Sequence, residues 1–308
     1  MKCRILLVAV LALIVAAPVL AEEPPKEVRA AWQNMQPDIT IEDHLGNPIT
    51  GIRCATLDFG PAENPRAPED LDAWIREHAL EKLNVTIPVA VHVLYYLKGS
   101  TYLGNVTDTQ IANQIAALNA TYAPCGVSFY LHSTTRTLNK TWATMRPGSS
   151  AELAAKTALA VDPTNVYNLY TAVPGGGLLG WSYLPWSYAE SSVWHGTVIH
   201  WGSVPGGYLT QYNEGDTAVH ECGHYLGLYH TFQGGCTEPN DYCADTPQEA
   251  TPDYYCTLNR DTCPSNPGYD PIHNFMDYTP DSCMYEFTGD QCDRIEWAVT
   301  TYKPGLLY

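Results

Sequence analysis

The segment from His220 to His230 constrains this chain more than any other feature of its sequence. It reads H-E-x-x-H-x-x-G-x-x-H. On an α-helix, residues four apart lie on the same face one turn apart, so His220 and His224 can approach one metal ion together. Gly227 can adopt a left-handed conformation that ends the helix and returns His230 to the same ion. Three imidazoles leave the fourth position of a tetrahedral zinc ion open, which is typical of a catalytic zinc site.

Glu221 adds a carboxylate to this site. It lies about 100° round the helix from His220 and therefore flanks the metal without ligating it. From there it can take a proton from a water molecule, which is the role of a general base. The alternative is a helix without a metal, whose three histidines are solvated or buried in the core. The apolar flanks of the motif disfavour it, because buried histidines need a polar partner, and a metal ion provides one.

The first 21 residues have the pattern of a signal peptide. Lys2 and Arg4 precede an apolar run over residues 5–15, and Ala21 ends a small-residue cleavage site. That run is too short to span a bilayer, and no later segment reaches about eighteen apolar residues. We therefore expect a secreted, extracellular protein. The net charge of −17 argues against nucleic acid or an anionic membrane as a partner.

Residues 22–80 differ in texture from the rest of the chain, being rich in proline and charge. They contain one predicted helix, near Glu69–His78. We interpret them as a pro-segment or N-terminal extension; the alternative is a structural lead-in to the core. Residues 81–308 are expected to form a catalytic domain with a subdomain division after about residue 230.

Within that domain the pattern is α+β. Strands are predicted over residues 87–96, 127–131, 166–172 and 198–201. Helices are expected after the capping residues Thr107, Ser149 and Thr288, and the zinc helix near Asp216. Residues 175–183 are rich in glycine and predict an irregular edge strand whose backbone can be approached closely. After Thr231 the sequence is rich in loop residues.

Three stretches resemble the metzincin zinc metallopeptidases, and in particular the pappalysin-like, cytophagalysin-type family. They are His220–Cys236, Asp270–Tyr278 and the cysteines between them. The resemblance implies a twisted mixed sheet with helices in the N-terminal subdomain and a loop-rich, disulfide-stapled C-terminal subdomain. It also implies that Met276 forms a hydrophobic floor beneath the metal and that Tyr278 lies near the zinc or the reacting carbonyl. The edge strand at 175–183 would then pair with an extended peptide.

Ten cysteines are present, of which Cys3 lies in the signal peptide, so nine remain and at least one is unpaired. The resemblance implies the disulfides Cys236–Cys263 and Cys256–Cys283. Cys222 lies about 200° round the helix from His220 and is either a core thiol or a disulfide partner. No partner is assigned to the remaining three cysteines of the body: Cys125, Cys243 and Cys292.

Cys54, the one cysteine of residues 22–80, has two interpretations. Some metzincins keep their precursors inactive with a pro-segment thiolate on the open zinc position, where a soft anionic sulfur displaces water. Cys54 lies in Arg53-Cys54-Ala55-Thr56, and Ala55 departs from the glycine common in related pappalysins. The other interpretation is a disulfide between Cys54 and the body.

The segment Asn240–Pro247 offers oxygen ligands in a tight loop. Asp241, Asp245 and Thr246 are candidate calcium ligands, by resemblance and by ligand type. An ordinary solvated acidic turn is the alternative.

These features predict a secreted zinc endopeptidase that acts on peptide or protein substrates. The alternative is a non-catalytic secreted zinc protein that binds peptides or glycans in its cleft, although binding alone does not require Glu221. Asp281 and Glu286, after Met276, hint at tolerance for basic side chains. The sequence does not fix the substrate or the oligomeric state.

Overall fold

The computed structural model describes residues 24, 26–57, 74 and 83–308. The expected signal peptide lies outside the described residues. The same holds for the helix predicted near residues 69–78, apart from Trp74.

The N-terminal segment contains elements that we did not predict. A helix α1 (Lys26–Asn34) is followed by a hairpin of β1 (Ile39–Glu42) and β2 (Pro48–Gly51), paired antiparallel. The Asp43 carboxylate accepts hydrogen bonds from the backbone N–H groups of Leu45 and Asn47, and thereby closes the turn. The prediction of one helix in residues 22–80 was therefore incomplete, because it omitted α1 and the β1–β2 hairpin.

A six-stranded mixed sheet forms the centre of the fold. Its strands are β3 (Val85–Lys98), β4 (Thr101–Leu103), β5 (Val127–Leu138), β6 (Tyr167–Ala172), β7 (Gly180–Trp181) and β8 (Thr197–His200). Neighbouring strands follow the order β4-β3-β6-β8-β7, and β5 pairs with β3. The pairs β3–β5, β3–β6 and β6–β8 are parallel, whereas β3–β4 and β7–β8 are antiparallel. The twisted mixed sheet expected from the sequence is present, and β7 is its edge.

Five α-helices accompany the sheet within residues 83–308. They are α2 (Asp108–Tyr122), α3 (Lys140–Ala143), α4 (Ser150–Leu159), α5 (Asp216–Tyr225) and α6 (Gly289–Tyr302). The capping boxes predicted at Thr107 and Thr288 are formed, and the Ser149 side chain caps α4. None of the helices in the described part of the chain is long and apolar enough to cross a membrane.

The zinc helix α5 lies in the largest hydrophobic core. Val219 and Cys222 pack there with strand residues such as Val91 and with Ile295 and Val299 of α6. All ten residues of α5 are buried. A helix buried on every side is held by its neighbours, so its side chains have fixed positions.

The chain after α5 has few regular elements besides α6, and disulfides hold it. Cys236–Cys263 and Cys256–Cys283, the two pairs that the resemblance implied, are bonded. A third disulfide, Cys125–Cys292, ties α6 to the sequence between α2 and β5. The loop-rich, disulfide-stapled C-terminal subdomain is thus observed.

Candidate metal centre and active site

The zinc helix ends where the sequence predicts. The last residue of α5 is Tyr225, and Gly227 has a φ of 102°, in the left-handed region. A Cβ on Gly227 would also lie 2.4 Å from the Cβ of Ala298. Glycine is therefore required at position 227 for two reasons: the backbone has a positive φ, and α6 packs too closely for a side chain. The turn brings His230 back toward the helix.

The three imidazoles converge on one point. The Nε2 atom of His224 lies 3.2 Å from Nε2 of His220 and 3.1 Å from Nε2 of His230. The opposite ring atoms are held by backbone: His220 Nδ1 donates to the Phe275 carbonyl at 2.7 Å, and His224 Nδ1 donates to the Leu228 carbonyl at 2.9 Å. Because a carbonyl only accepts, the proton of each ring is on Nδ1, and Nε2 presents its lone pair to the centre.

This donor set fits a zinc ion. Tetrahedral coordination with Zn–N bonds of 2.0–2.1 Å separates neighbouring ligand nitrogens by about 3.3 Å, close to the observed spacing. Burial lowers the pKa of His220 well below its usual value, so its ring is neutral, as a metal ligand must be. Without a cation, the lone pairs of His220 and His224 would repel each other in a buried site.

Glu221 lies between the zinc helix and the edge strand. Its side chain is fully buried, and a Cβ on Gly180 would lie 2.7 Å from its Cγ. Ser182, two residues along the edge, donates its hydroxyl to the Glu221 carbonyl at 2.7 Å. Thr56 of the N-terminal segment donates its hydroxyl to Glu221 Oε2 at 3.0 Å. The carboxylate is therefore beside the histidines and at the strand expected to bind peptides.

Met276 and Tyr278 pack against different residues that surround the centre. Met276 is fully buried, and a Cβ on Gly223 would lie 2.5 Å from its Sδ, so the methionine packs directly against the zinc helix. The Tyr278 hydroxyl lies 3.2 Å from His230 Nε2. The roles that the resemblance implied for them, a floor beneath the metal for Met276 and a contact to the zinc or the reacting carbonyl for Tyr278, stay predictions.

The N-terminal segment runs along the edge strand and reaches the centre. Backbone hydrogen bonds join Ile52 N to Gly177 O, Leu179 N to Ile52 O and Ala55 N to Gly180 O. Of the edge strand predicted over residues 175–183, only Gly180–Trp181 is regular strand. The backbone of the N-terminal segment pairs with this edge and so continues the hydrogen-bond ladder of the sheet.

Cys54 lies at the metal centre. Its buried Sγ is 3.7 Å from His224 Nε2, and Cys54 forms one cluster of ligand atoms with the three histidines. Cys54 is a free thiol, so the disulfide interpretation is wrong. Cys222 and Cys243 are also free and buried, and the disulfide alternative for Cys222 is wrong as well, because its thiol is unbonded in the largest core, where Cys125 and Cys292 are bonded to each other.

Arg53 fills an acidic pocket beside the centre. Its side chain is fully buried, its guanidinium carbon lies 5.1 Å from the Tyr212 ring centre, and Nη1 donates to the Thr217 hydroxyl at 3.4 Å. Burial raises the pKa of Asp216 to about 8 and that of Asp281 to about 6, and the positive charge of Arg53 lowers both. The cation thus stabilises the ionised form of both carboxyls.

Asp281 also determines where the zinc helix begins. Its Oδ2 accepts hydrogen bonds from the backbone N–H groups of Glu214 at 2.9 Å and of Asp216 at 3.3 Å. A carboxylate at this end of a helix is favourable, because it satisfies free N–H groups. Asp281 therefore contributes both to the pocket that holds Arg53 and to the start of the helix that carries the histidines.

The candidate calcium ligands have other partners. Asp241 Oδ1 accepts from Cys243 N at 3.1 Å, and Asp245 Oδ2 accepts from Asp290 N at 3.0 Å. The Thr246 hydroxyl lies 3.5 Å from that of Thr288. Within the described residues, the clusters of ligand atoms from three or more His, Cys, Asp or Glu side chains do not include Asp241 or Asp245. Calcium binding stays a prediction.

Several residues of the site were missed in the sequence. Thr56 and Arg53 adjoin Cys54 in the chain, and their adjacency to that thiol was the one available signal. Gly180 and Gly223 carry no local signal of these contacts, because the side chains that a Cβ would meet, those of Glu221 and Met276, are distant in sequence.

The fold and the three-histidine centre together define a zinc metallopeptidase of the metzincin type. A profile of the peptidase M43 family, described as pregnancy-associated plasma protein-A, matches residues 180–300. The chain is 44% identical over 222 residues to an extracellular metalloprotease of Colletotrichum graminicola, covering 71% of this chain and 78% of the relative. It is 46% identical over 229 residues to one of Neurospora crassa, covering 73% and 79%.

The chain therefore belongs to the pappalysin family of metallopeptidases, peptidase M43. Two solved structures from Tannerella forsythia are similar in fold. Mature mirolysin in complex with a cleaved peptide has a TM-score of 0.64 at 26% identity, covering 74% of this chain and 97% of that one. A promirolysin mutant has a TM-score of 0.65 at 25% identity, covering 80% and 94%. The protein is a zinc metalloendopeptidase by this membership.

Proposed function

We propose that the chain is a secreted zinc endopeptidase, made as a latent precursor, in which Glu221 acts as the general base. The convergence of three Nε2 atoms beside a buried carboxylate, at the edge of a sheet, carries this proposal. Secretion is supported by the signal-peptide pattern of residues 1–21 and by relatives named as extracellular.

Zinc held by His220, His224 and His230 would polarise the scissile carbonyl and bring the pKa of a water molecule toward neutrality. Glu221 takes a proton from the attacking water at a carboxylate oxygen and returns it to the leaving nitrogen. Tyr278 donates a hydrogen bond to the carbonyl oxygen as negative charge develops there. Gly180 and its neighbours pair with the substrate backbone, as residues 52–55 of this chain do.

Digestion of casein or gelatin by the mature protein, with and without a zinc chelator, tests the activity. We expect hydrolysis that the chelator abolishes and added zinc restores. A protein that binds zinc and peptide but cleaves neither substrate would instead be the non-catalytic zinc protein considered above.

Latency rests on three neighbouring residues of the N-terminal segment. Cys54 lies against the zinc ligands, Thr56 occupies an oxygen of Glu221, and Arg53 fills the acidic pocket. Together they cover the metal, the base and a side-chain site. The similarity to a protein named promirolysin supports a precursor form.

Replacement of the thiol tests this arrangement. We expect the full-length precursor with Cys54→Ser to cleave peptide without processing, because a hydroxyl is a weaker zinc ligand than a thiolate. Cys243→Ser is the matched control, since Cys243 is also a buried free thiol but lies outside the zinc cluster. A Cys54→Ser precursor as inactive as its parent would contradict the role of Cys54.

The acidic pocket indicates a preference for basic side chains. In the precursor it holds the guanidinium of Arg53 against Tyr212, near Asp216 and Asp281. Once the N-terminal segment has left, an arginine or lysine of the substrate would restore the same charge balance. Cleavage profiling with a peptide library should show enrichment of Arg and Lys at one position, and Asp281→Asn should reduce it. A library cleaved without that enrichment would exclude this preference.

A further inference from the structure

A fully buried ion pair lies behind the edge strand. Glu152 and Lys156, one turn apart on α4, have no exposed surface, and Oε1 of the glutamate is 3.0 Å from Nζ of the lysine. Desolvation of two charges is costly, and a buried ion pair is often no more stabilising than apolar residues of the same volume. The pair therefore calls for an explanation other than stability.

Every hydrogen-bonding group of this pair has a partner. The three N–H groups of Lys156 are matched by Glu152 Oε1, the Trp194 carbonyl at 2.8 Å and the Gly196 carbonyl at 3.3 Å. The ammonium also lies over the ring of Tyr183, 4.7 Å from its centre. A polar network that is completely satisfied favours one conformation over the alternatives.

The same carboxylate holds two side chains of the edge strand and its extension. The Trp181 indole N–H donates to Glu152 Oε1 at 2.8 Å, and the Tyr183 hydroxyl donates to Oε2 at 2.8 Å. The Lys156 ammonium donates to the carbonyls of Trp194 and Gly196, which lie just before β8, the strand paired with β7. One ion pair thus fixes both strands at this edge of the sheet.

The residues that alternate with these two face the active site. Gly180 lies against the Glu221 side chain, and the Ser182 hydroxyl donates to the Glu221 carbonyl. Successive residues of a strand point to opposite faces, so Trp181 and Tyr183 can be anchored from behind while Gly180 and Ser182 meet Glu221. A shift of the anchors would move the backbone that pairs with Ala55 N in the precursor.

We infer that Glu152 and Lys156 are positioning residues for peptide hydrolysis, which hold the edge strand in register with Glu221 and with a bound peptide backbone. This inference rests on the proposed function. Neither residue touches the reacting atoms; both act through Trp181 and Tyr183. The physical reason is that catalysis is sensitive to displacements of the order of 1 Å between the base and the peptide bond.

Two variants of the mature, zinc-loaded enzyme test this inference. Glu152→Gln/Lys156→Met removes both charges together, which avoids a lone buried ion. Tyr183→Phe removes only one hydroxyl anchor and keeps the ring. Tyr170→Phe is the matched control, because Tyr170 is buried in the same cluster and near Lys156, while its hydroxyl has no hydrogen-bond partner among the residues that the structure describes.

The measurements are zinc content, kcat/KM for one peptide, and the Kd of that peptide on a Glu221→Gln background. We expect unchanged zinc content, with kcat/KM lowered about tenfold and Kd raised about tenfold in the double variant, and changes of about threefold in Tyr183→Phe. Tyr170→Phe should stay within about twofold of the parent.

Variants that melt at lower temperature but keep the kcat/KM and Kd of the parent would overturn the inference, because a merely structural role predicts that result. If the double variant does not fold, Tyr183→Phe decides by the same criterion. A parent that binds zinc but cleaves no peptide would contradict the proposed function. In that case an unchanged Kd in the variants would also overturn the positioning role.

Discussion

At the scale of single residues, the chemistry depends on which ring nitrogen carries a proton. His220 and His224 each donate Nδ1–H to a backbone carbonyl, so their Nε2 atoms are acceptors directed at one point. Those carbonyls, of Phe275 and Leu228, come from different parts of the chain. The ligands are thus preorganised, with little freedom to lose when a metal binds.

Replacement of Glu221 by Gln separates metal binding from catalysis. We expect the mature variant to retain zinc, because the three imidazoles are unchanged, and to lose turnover by about 10²–10⁴-fold or more, because an amide cannot accept the proton of water. Zinc content by atomic absorption and peptide hydrolysis are the two measurements. Cleavage above the level of contamination would remove Glu221 from the role of base.

The acidic pocket predicts a pH dependence confined to basic substrates. Burial raises the pKa values of Asp216 and Asp281, and loss of Arg53 on maturation removes a charge that lowers both. With an arginine in the pocket the pKa values are about 8 for Asp216 and about 6 for Asp281, and without it both are higher. As the pH falls from above 8 toward 6, the carboxyls of the empty pocket take up protons and lose their negative charge, so an arginine side chain should bind less well.

The ratio of kcat/KM for two peptides that differ only by Arg or Met at the preferred position measures this effect. Any enzyme group whose titration changes kcat/KM equally for both peptides has no effect on this ratio. We expect the ratio to fall several-fold as the pH is lowered over that range, and to be flat in Asp281→Asn/Asp216→Asn. A ratio independent of pH in the parent would contradict the pocket's role.

At the scale of elements, the distance between the edge strand and the zinc helix is set by a missing side chain. A Cβ on Gly180 would lie within 2.7–3.0 Å of three atoms of Glu221. Because real Cβ contacts are longer than this, a larger residue at 180 must displace the Glu221 side chain or the strand.

Gly180→Ala should therefore lower kcat by about tenfold or more while zinc content is retained. Gly175→Ala in the same glycine-rich stretch is the matched control, since its Cβ would meet only the end of the Arg146 side chain, at 3.3 Å. Steady-state kinetics of the two mature variants decide. Equal kcat values would show that the strand accommodates the methyl group without moving Glu221.

At the scale of the whole molecule, one disulfide joins parts of the chain that are distant in sequence. Cys125–Cys292 links residues 167 apart in sequence, whereas the loops closed by Cys236–Cys263 and Cys256–Cys283 span 27 residues each. A longer closed loop restricts the unfolded chain more, which favours the folded state.

Cys125→Ala/Cys292→Ala should lower the free energy of unfolding by about 2–5 kcal/mol and leave kcat nearly unchanged, because both residues lie outside the zinc cluster. Urea denaturation of the zinc-loaded, mature protein measures the first quantity. A loss of kcat without a loss of stability would indicate instead that this disulfide positions the active site.

The extent to which the sequence predicts this protein follows from the range of each interaction. The zinc ligands, the helix caps at Thr107 and Thr288, and the break at Gly227 are encoded by residues three to ten positions apart, so local geometry is enough to predict them. The hairpin of residues 39–51 likewise has a local turn signal, in Asp43, Gly46 and Asn47.

Only the tertiary structure determined which residues distant in sequence contact each other around the site. The packing of Arg53 with Asp281, of Thr56 with Glu221, and of Glu152 with Trp181 joins residues between 29 and 228 positions apart. No periodicity or motif encodes such contacts, because they depend on how the sheet, the zinc helix and the N-terminal segment fold together. The metal centre is thus local in sequence, whereas its contacts with the N-terminal segment and the edge strand arise from the fold.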